Sequence, residues 1–141
     1  MAPKQELIDW RTQEIAKILL RKSSFILNIE PFPTTLFDFF INQLSKPKYR
    51  FAVEVKNSKY FSKKINPQLS ALIKARSMGM VNVPALIMKV DDSSERGEVD
   101  FLVLPSTSGK LLIKKKFDFK PITGTQIDSM IERINNWWDQ G

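Results

Sequence analysis

In the run Arg50-Phe51-Ala52-Val53-Glu54-Val55-Lys56, apolar residues alternate with Ala52, Glu54 and Lys56. A period of two reads as a strand, with Glu54 and Lys56 on one face. A strand this apolar rarely takes in a carboxylate and an ammonium unless they pair or bind something. Upstream, Leu36-Phe37-Asp38-Phe39-Phe40-Ile41 is a second strand-like run carrying one acidic residue, Asp38. An Asp followed across a hairpin by Glu-x-Lys is the set of groups that metal-dependent phosphodiester hydrolysis requires. Carboxylates hold a hard cation that polarises the phosphoryl oxygen and activates water, and a lysine stabilises the developing charge. The plainer reading is an ordinary ion pair on an exposed strand face.

Asp38 and Glu54 are the expected metal ligands. The Val55 carbonyl could complete the protein's share of the shell, since magnesium keeps several waters. Lys56 is the expected catalytic cation. Whether these groups share a face depends on parity across the hairpin. A four-residue turn at residues 45–48 would set Asp38 opposite Val55, on the wrong face. A turn of three or five residues, or one bulge, brings Asp38 to the face of Glu54 and Lys56. On the preceding helix, Glu14 falls between Leu7 and Trp10 on the helical wheel, inside the apolar arc. That placement makes it a third candidate carboxylate facing the sheet. Arg11 occupies the same arc, and an ion pair on the helix is the competing account.

Composition narrows the chemistry. The chain has no cysteine and no histidine. Disulfide frameworks, thiolate zinc sites and histidine-based triads are therefore excluded, leaving carboxylates, lysine and oxygen-bound magnesium or manganese. A formal charge of +7 favours a polyanionic partner, most often nucleic acid. At 141 residues and 43% apolar content, a single domain over residues 1–141 with one core is expected. No apolar run approaches the roughly 18 residues of a membrane span. Residues 1–11 are charged throughout, unlike a signal peptide, so a cytoplasmic protein without membrane contact is expected.

The elements that must position these groups follow from periodicity. Residues 3–20 read as a helix with Leu7, Trp10, Ile15, Ile18 and Leu19 as its apolar stripe. Strands are expected at 24–29, 36–44 and 49–55, the last two joined by a turn at 45–48. Asn66 as N-cap and Pro67 at the first helical position open a second helix that Gly79 stops. Residues 84–90 form a continuous apolar run of buried-strand type, 99–104 another strand, and 110–119 a basic edge strand. Residues 125–138 close the chain as an amphipathic helix. The order is α-β-β-β-α-β-β plus a C-terminal helix, an α/β or α+β fold.

In this order the chain resembles the PD-(D/E)xK nuclease superfamily, and within it archaeal Holliday-junction resolvases and Mrr-type restriction nucleases. The resemblance runs over residues 5–90. It is carried by Glu14 on a helix, Asp38, Glu54-Val55-Lys56, the loop Asn57-Ser58-Lys59, Gln68, Gly79, and Pro84-Ala85-Leu86-Ile87-Met88-Lys89-Val90. Phe37 stands where many members have proline. The resemblance implies a restriction-endonuclease-like mixed sheet of about five strands flanked by helices. It also implies metal ligation by Asp38 and Glu54, catalysis by Lys56, and supporting roles for Glu14 and Gln68. Members often dimerise to cut two strands, which would place Trp137 or Trp138 in an interface; core packing is the simpler reading of that stripe.

Lys59, Lys63 and Lys64, beside Tyr60 and Phe61, could track a phosphate backbone, as could Lys114, Lys116 and Lys120. A solvated loop and lysines that guard a sheet edge are the alternatives. Asp91, Asp92, Glu95 and Glu98 read as a solvated hairpin turn. The expected function is a magnesium-dependent endonuclease acting on DNA. The alternative is a non-catalytic nucleic-acid-binding or protein-interaction module of the same fold.

Overall fold

The computed structural model describes residues 4–32, 37–59, 83–105, 111–113 and 118–140. In chain order these form α1 (Lys4–Leu20), β1 (Leu27–Pro31), β2 (Phe39–Gln43), β3 (Lys46–Asn57), β4 (Ala85–Asp91), β5 (Arg96–Pro105), β6 (Leu111–Ile113), β7 (Lys120–Pro121) and α2 (Gly124–Gln140). The expected mixed α/β class holds. Among the described residues the sheet has seven strands rather than about five, in the order β1-β2-β3-β4-β5-β6 with β7 beside β5. Every pairing is antiparallel except β3 with β4. The helix expected from Asn66 to Gly79 lies outside the described residues.

The alternation along β3 becomes a two-sided strand. Phe51, Val53 and Val55 join Phe39, Ile41, Leu86, Met88, Val90 and Val99 in one core, packed by Ile15, Ala16 and Leu19 of α1 and Ile127, Met130, Ile131 and Ile134 of α2. Both helices therefore cover the same face. Ala52, Glu54, Ala85, Ile87 and Asp100 take the alternate positions and are also buried. Strands buried on both faces read as near-continuous apolar runs, as β4 does.

The α1 stripe expected in the core is corrected. Leu7, Trp10 and Ile18 are 60%, 64% and 62% exposed, whereas Thr12, Ile15, Ala16, Leu19 and Leu20 are buried. The helix carries two apolar stripes, and the sheet takes the one with tighter i, i+3, i+4 spacing. Of the basic strand expected over 110–119, residues 111–113 form β6 on β5 and 118–119 are in no strand, while 110 and 114–117 lie outside the described residues; β7 pairs with β5 just beyond.

The helices are tied together at their ends. The Asp128 carboxylate accepts from Ser23 Oγ (2.6 Å), Ser24 N (2.9 Å) and Ser24 Oγ (2.6 Å). Burial pushes this carboxyl up, but the serine hydrogen bonds outweigh it and hold it below the usual range. Gly97 lets α1 and the β7 segment close over β5. A Cβ there would lie 2.8 Å from Ile122 Cδ1 and 3.1 Å from both Leu19 Cδ1 and the Lys89 carbonyl.

Candidate active site

The β2–β3 hairpin settles the parity question. Phe39 pairs with Val53, Phe40 with Ala52, Ile41 with Phe51 and Asn42 with Arg50. A bulge then intervenes and Gln43 pairs with Lys46, so the turn is shorter than the four residues weighed above. Continuing the register one step sets Asp38 opposite Glu54, on the face of Glu54 and Lys56. The Asp38 amide donates to the Val53 carbonyl at 3.0 Å, and a hydrogen bond between the Asp38 and Glu54 carboxyls places the two on one face.

Asp38 is held by both oxygens. Its Oδ1 accepts from Gln13 Nε2 at 3.1 Å, and its Oδ2 accepts from the Val55 amide at 2.7 Å. A strand residue's N–H and C=O leave on the same side, so the Val55 carbonyl also points toward Asp38. Glu54 is only 4% exposed. Burial, followed by a hydrogen bond and repulsion from Asp38, pushes its carboxyl up to about 9, and Lys56 opposes this only in part. Burial beside Asp38 therefore favours the protonated form of the Glu54 carboxyl. Lys56 Nζ sits 3.8 Å from Glu54 Oε1, and its side chain is 20% exposed.

The structure thus brings together Asp38, Glu54, Val55 and Lys56. It does not bring Glu14. That carboxylate is 43% exposed and pairs with Lys17 at 3.1 Å. Glu14 does lie on the stripe of Leu7 and Trp10, as its wheel position required, but that stripe faces solvent. The α1 side chain that reaches the site is Gln13. Its signal in the sequence is its place beside Thr12 and Ala16 on the stripe that does pack.

Asp92 corrects the reading of its loop as a solvated turn. It is buried and accepts from Asn57 Nδ2 at 2.9 Å, and the same amide nitrogen donates to Thr12 Oγ1 at 3.1 Å. This network pins the end of β3 to α1 and the β4–β5 turn. Lys59 leans onto it, with Nζ 4.0 Å from Asp92 Oδ1, and Arg11 approaches Asp92 Oδ2 at 4.0 Å. Both cations remain largely exposed. Lys120 is exposed and pairs with Asp118 at 3.3 Å. Gln68, Lys63, Lys64, Lys114 and Lys116 lie outside the described residues.

Among the described residues, no group of three or more Asp, Glu, His or Cys side chains gathers as a metal site. The carboxylates gathered at this end of β3 are those of Asp38 and Glu54. No described helix is long and apolar enough to cross a membrane. No protein-family model and no curated protein matches the chain.

Proposed function

We propose that the chain is a metal-dependent nuclease of restriction-endonuclease-like fold, hydrolysing phosphodiester bonds in DNA. The observation that carries this reading is the convergence of Asp38, Glu54 and Lys56 at one end of β3. The donors fit magnesium or manganese: all are hard oxygens, and Glu54 holds a proton in the place a divalent cation would take. When bound, the metal would polarise the phosphoryl oxygen and lower the pKa of an attacking water. The chain's own groups do the rest. Gln13 and the Val55 amide hold Asp38 in one orientation, and Lys56 donates to the non-bridging oxygen where charge develops. A homodimer would let two such sites cut opposite strands.

The test is cleavage of supercoiled plasmid and four-way junctions with magnesium or with chelator. Magnesium-dependent nicking is expected, at a roughly millimolar requirement because water supplies most of the shell. Lys56→Ala should lower the rate at least about a hundredfold. Gln13→Ala should cost about ten- to a hundredfold and raise the magnesium needed, since it frees a ligand rather than removing one. Cleavage by Lys56→Ala at the parent rate would remove the site. Duplex binding without cleavage by the parent protein would leave the non-catalytic module.

A further inference from the structure

The far end of β3 carries a second cluster that the site does not use. At the tip of the β2–β3 hairpin, Lys46, Pro47 and Lys48 are exposed. The two ammonium groups lie 5.9 and 5.4 Å from the Tyr49 ring centroid. Arg50 stacks its guanidinium over Trp138 at 4.7 Å, and the Trp138 indole donates to the Arg50 carbonyl at 2.9 Å. Trp137 packs edge-on against Trp138 at 4.7 Å. Among the described residues, the carboxylate bonded to these groups is Asp139, which accepts from Tyr49 Oη at 2.6 Å and from Lys48 Nζ at 3.2 Å. The tip is therefore positive, and aromatic rings fix its cations in place.

We propose that this tip, with the last turn of α2, is a second phosphate-contact site for duplex nucleic acid. The inference rests on the nuclease reading for its partner, but not on catalysis. At about 3.3 Å per residue, the regularly paired run from Arg50 to Glu54 covers roughly 13 Å, and the hairpin tip lies beyond it. That separation spans at least about four base pairs at 3.4 Å each. The tip would hold the duplex away from the cleaved bond, setting its direction across the site. Phosphate contacts of this kind position without reading sequence. Asp139 competes with phosphate for Lys48 and so weakens the contact.

The experiment is fluorescence-anisotropy titration of a 24-base-pair duplex (about 80 Å long) in chelator, over a range of salt, so that cleavage plays no part. Lys46→Glu/Lys48→Glu should weaken binding about tenfold or more at low salt and flatten the log–log salt slope by about two. Asp139→Asn should shift affinity the other way, tighter than the parent, an outcome that lost folding cannot imitate. A double variant with the parent's affinity and slope overturns the proposal while leaving the nuclease reading untouched. So does a loss seen for polyglutamate but not for duplex, which would make the tip a surface for acidic protein. Absence of cleavage alone, with these binding shifts intact, would overturn the nuclease reading and keep this one.

Discussion

Glu54→Gln should abolish magnesium-dependent cleavage, by about a thousandfold or more, while the protein stays folded and still binds nucleic acid. The loss follows from the donor set. With two carboxylates and a carbonyl at the site, exchanging one carboxylate for an amide removes half of the anionic ligation. The fold should survive, because Glu54 already carries a proton in the metal-free protein and an amide of the same shape replaces a neutral acid. Duplex affinity of the metal-free variant should be unchanged, since a neutral amide replaces a neutral acid and no charge facing the phosphates is gained or lost. Single-turnover cleavage and anisotropy on one preparation separate the two effects. Full cleavage by the variant would take Glu54 out of the mechanism.

Metal-free stability should fall as pH rises, and magnesium should reverse the fall. The Glu54 carboxyl titrates near 4.5 when unfolded and near 9 when folded. Below about 4.5 both states hold the proton, so the contribution is fully present. Between the two values the folded state binds more protons than the unfolded one. Stability is therefore lost progressively from about pH 4.5 to about 9, on the order of several kcal/mol in total. A divalent cation binds the deprotonated pair, so it releases a proton and stabilises more at the upper end of the window. Thermal melts at about pH 6, 7 and 8.5, with and without magnesium, should show a midpoint gain that grows with pH. In Glu54→Gln the gain should vanish and the downward slope should flatten. A gain independent of pH in the parent protein would mean that Glu54 is not the proton-holding group.

Much of the site could be read before the fold was in hand, because strand chemistry is written with a period of two. Glu54 and Lys56 declared a common face by spacing alone, and Asp38 needed only one bulge to join them. That bulge, between Asn42 and Gln43, could be posed as a condition but its presence could not be deduced, since turn length and register compensate each other. Helix α1 was harder. The stripe Leu7, Trp10, Ile15, Ile18 and Leu19 joins two faces, of which only Ile15 and Leu19 pack on the sheet. Counting Leu7 and Trp10 as buried turned Glu14 inward and hid Gln13. The same limit applies to Asp92, whose burial depends on Asn57 and Thr12, both distant in sequence. Acidic residues in a turn look solvated unless their partners are known.

The single parallel pairing in the sheet also divides the folding of the chain. Strands β1, β2 and β3 form one antiparallel meander, and β4 to β7 form an antiparallel set around β5. Each is built from short-range pairings, whereas β3 meets β4 only after the ends of residues 58–84 come together. Bringing together chain ends that far apart in sequence has an entropic cost, on the order of (3/2)RT ln n for n intervening residues, before any seam contact is gained. The first meander can therefore set Asp38 against Glu54 while both are still wet, and docking of β4 comes later. Pulsed hydrogen exchange during refolding should protect the Ile41 and Phe51 amides before those of Ile87 and Met88. Simultaneous protection would mean that the two halves form as one. On that order Glu54 would meet Asp38 before it is buried, and its raised pKa would follow from the docking of β4, which shuts out water.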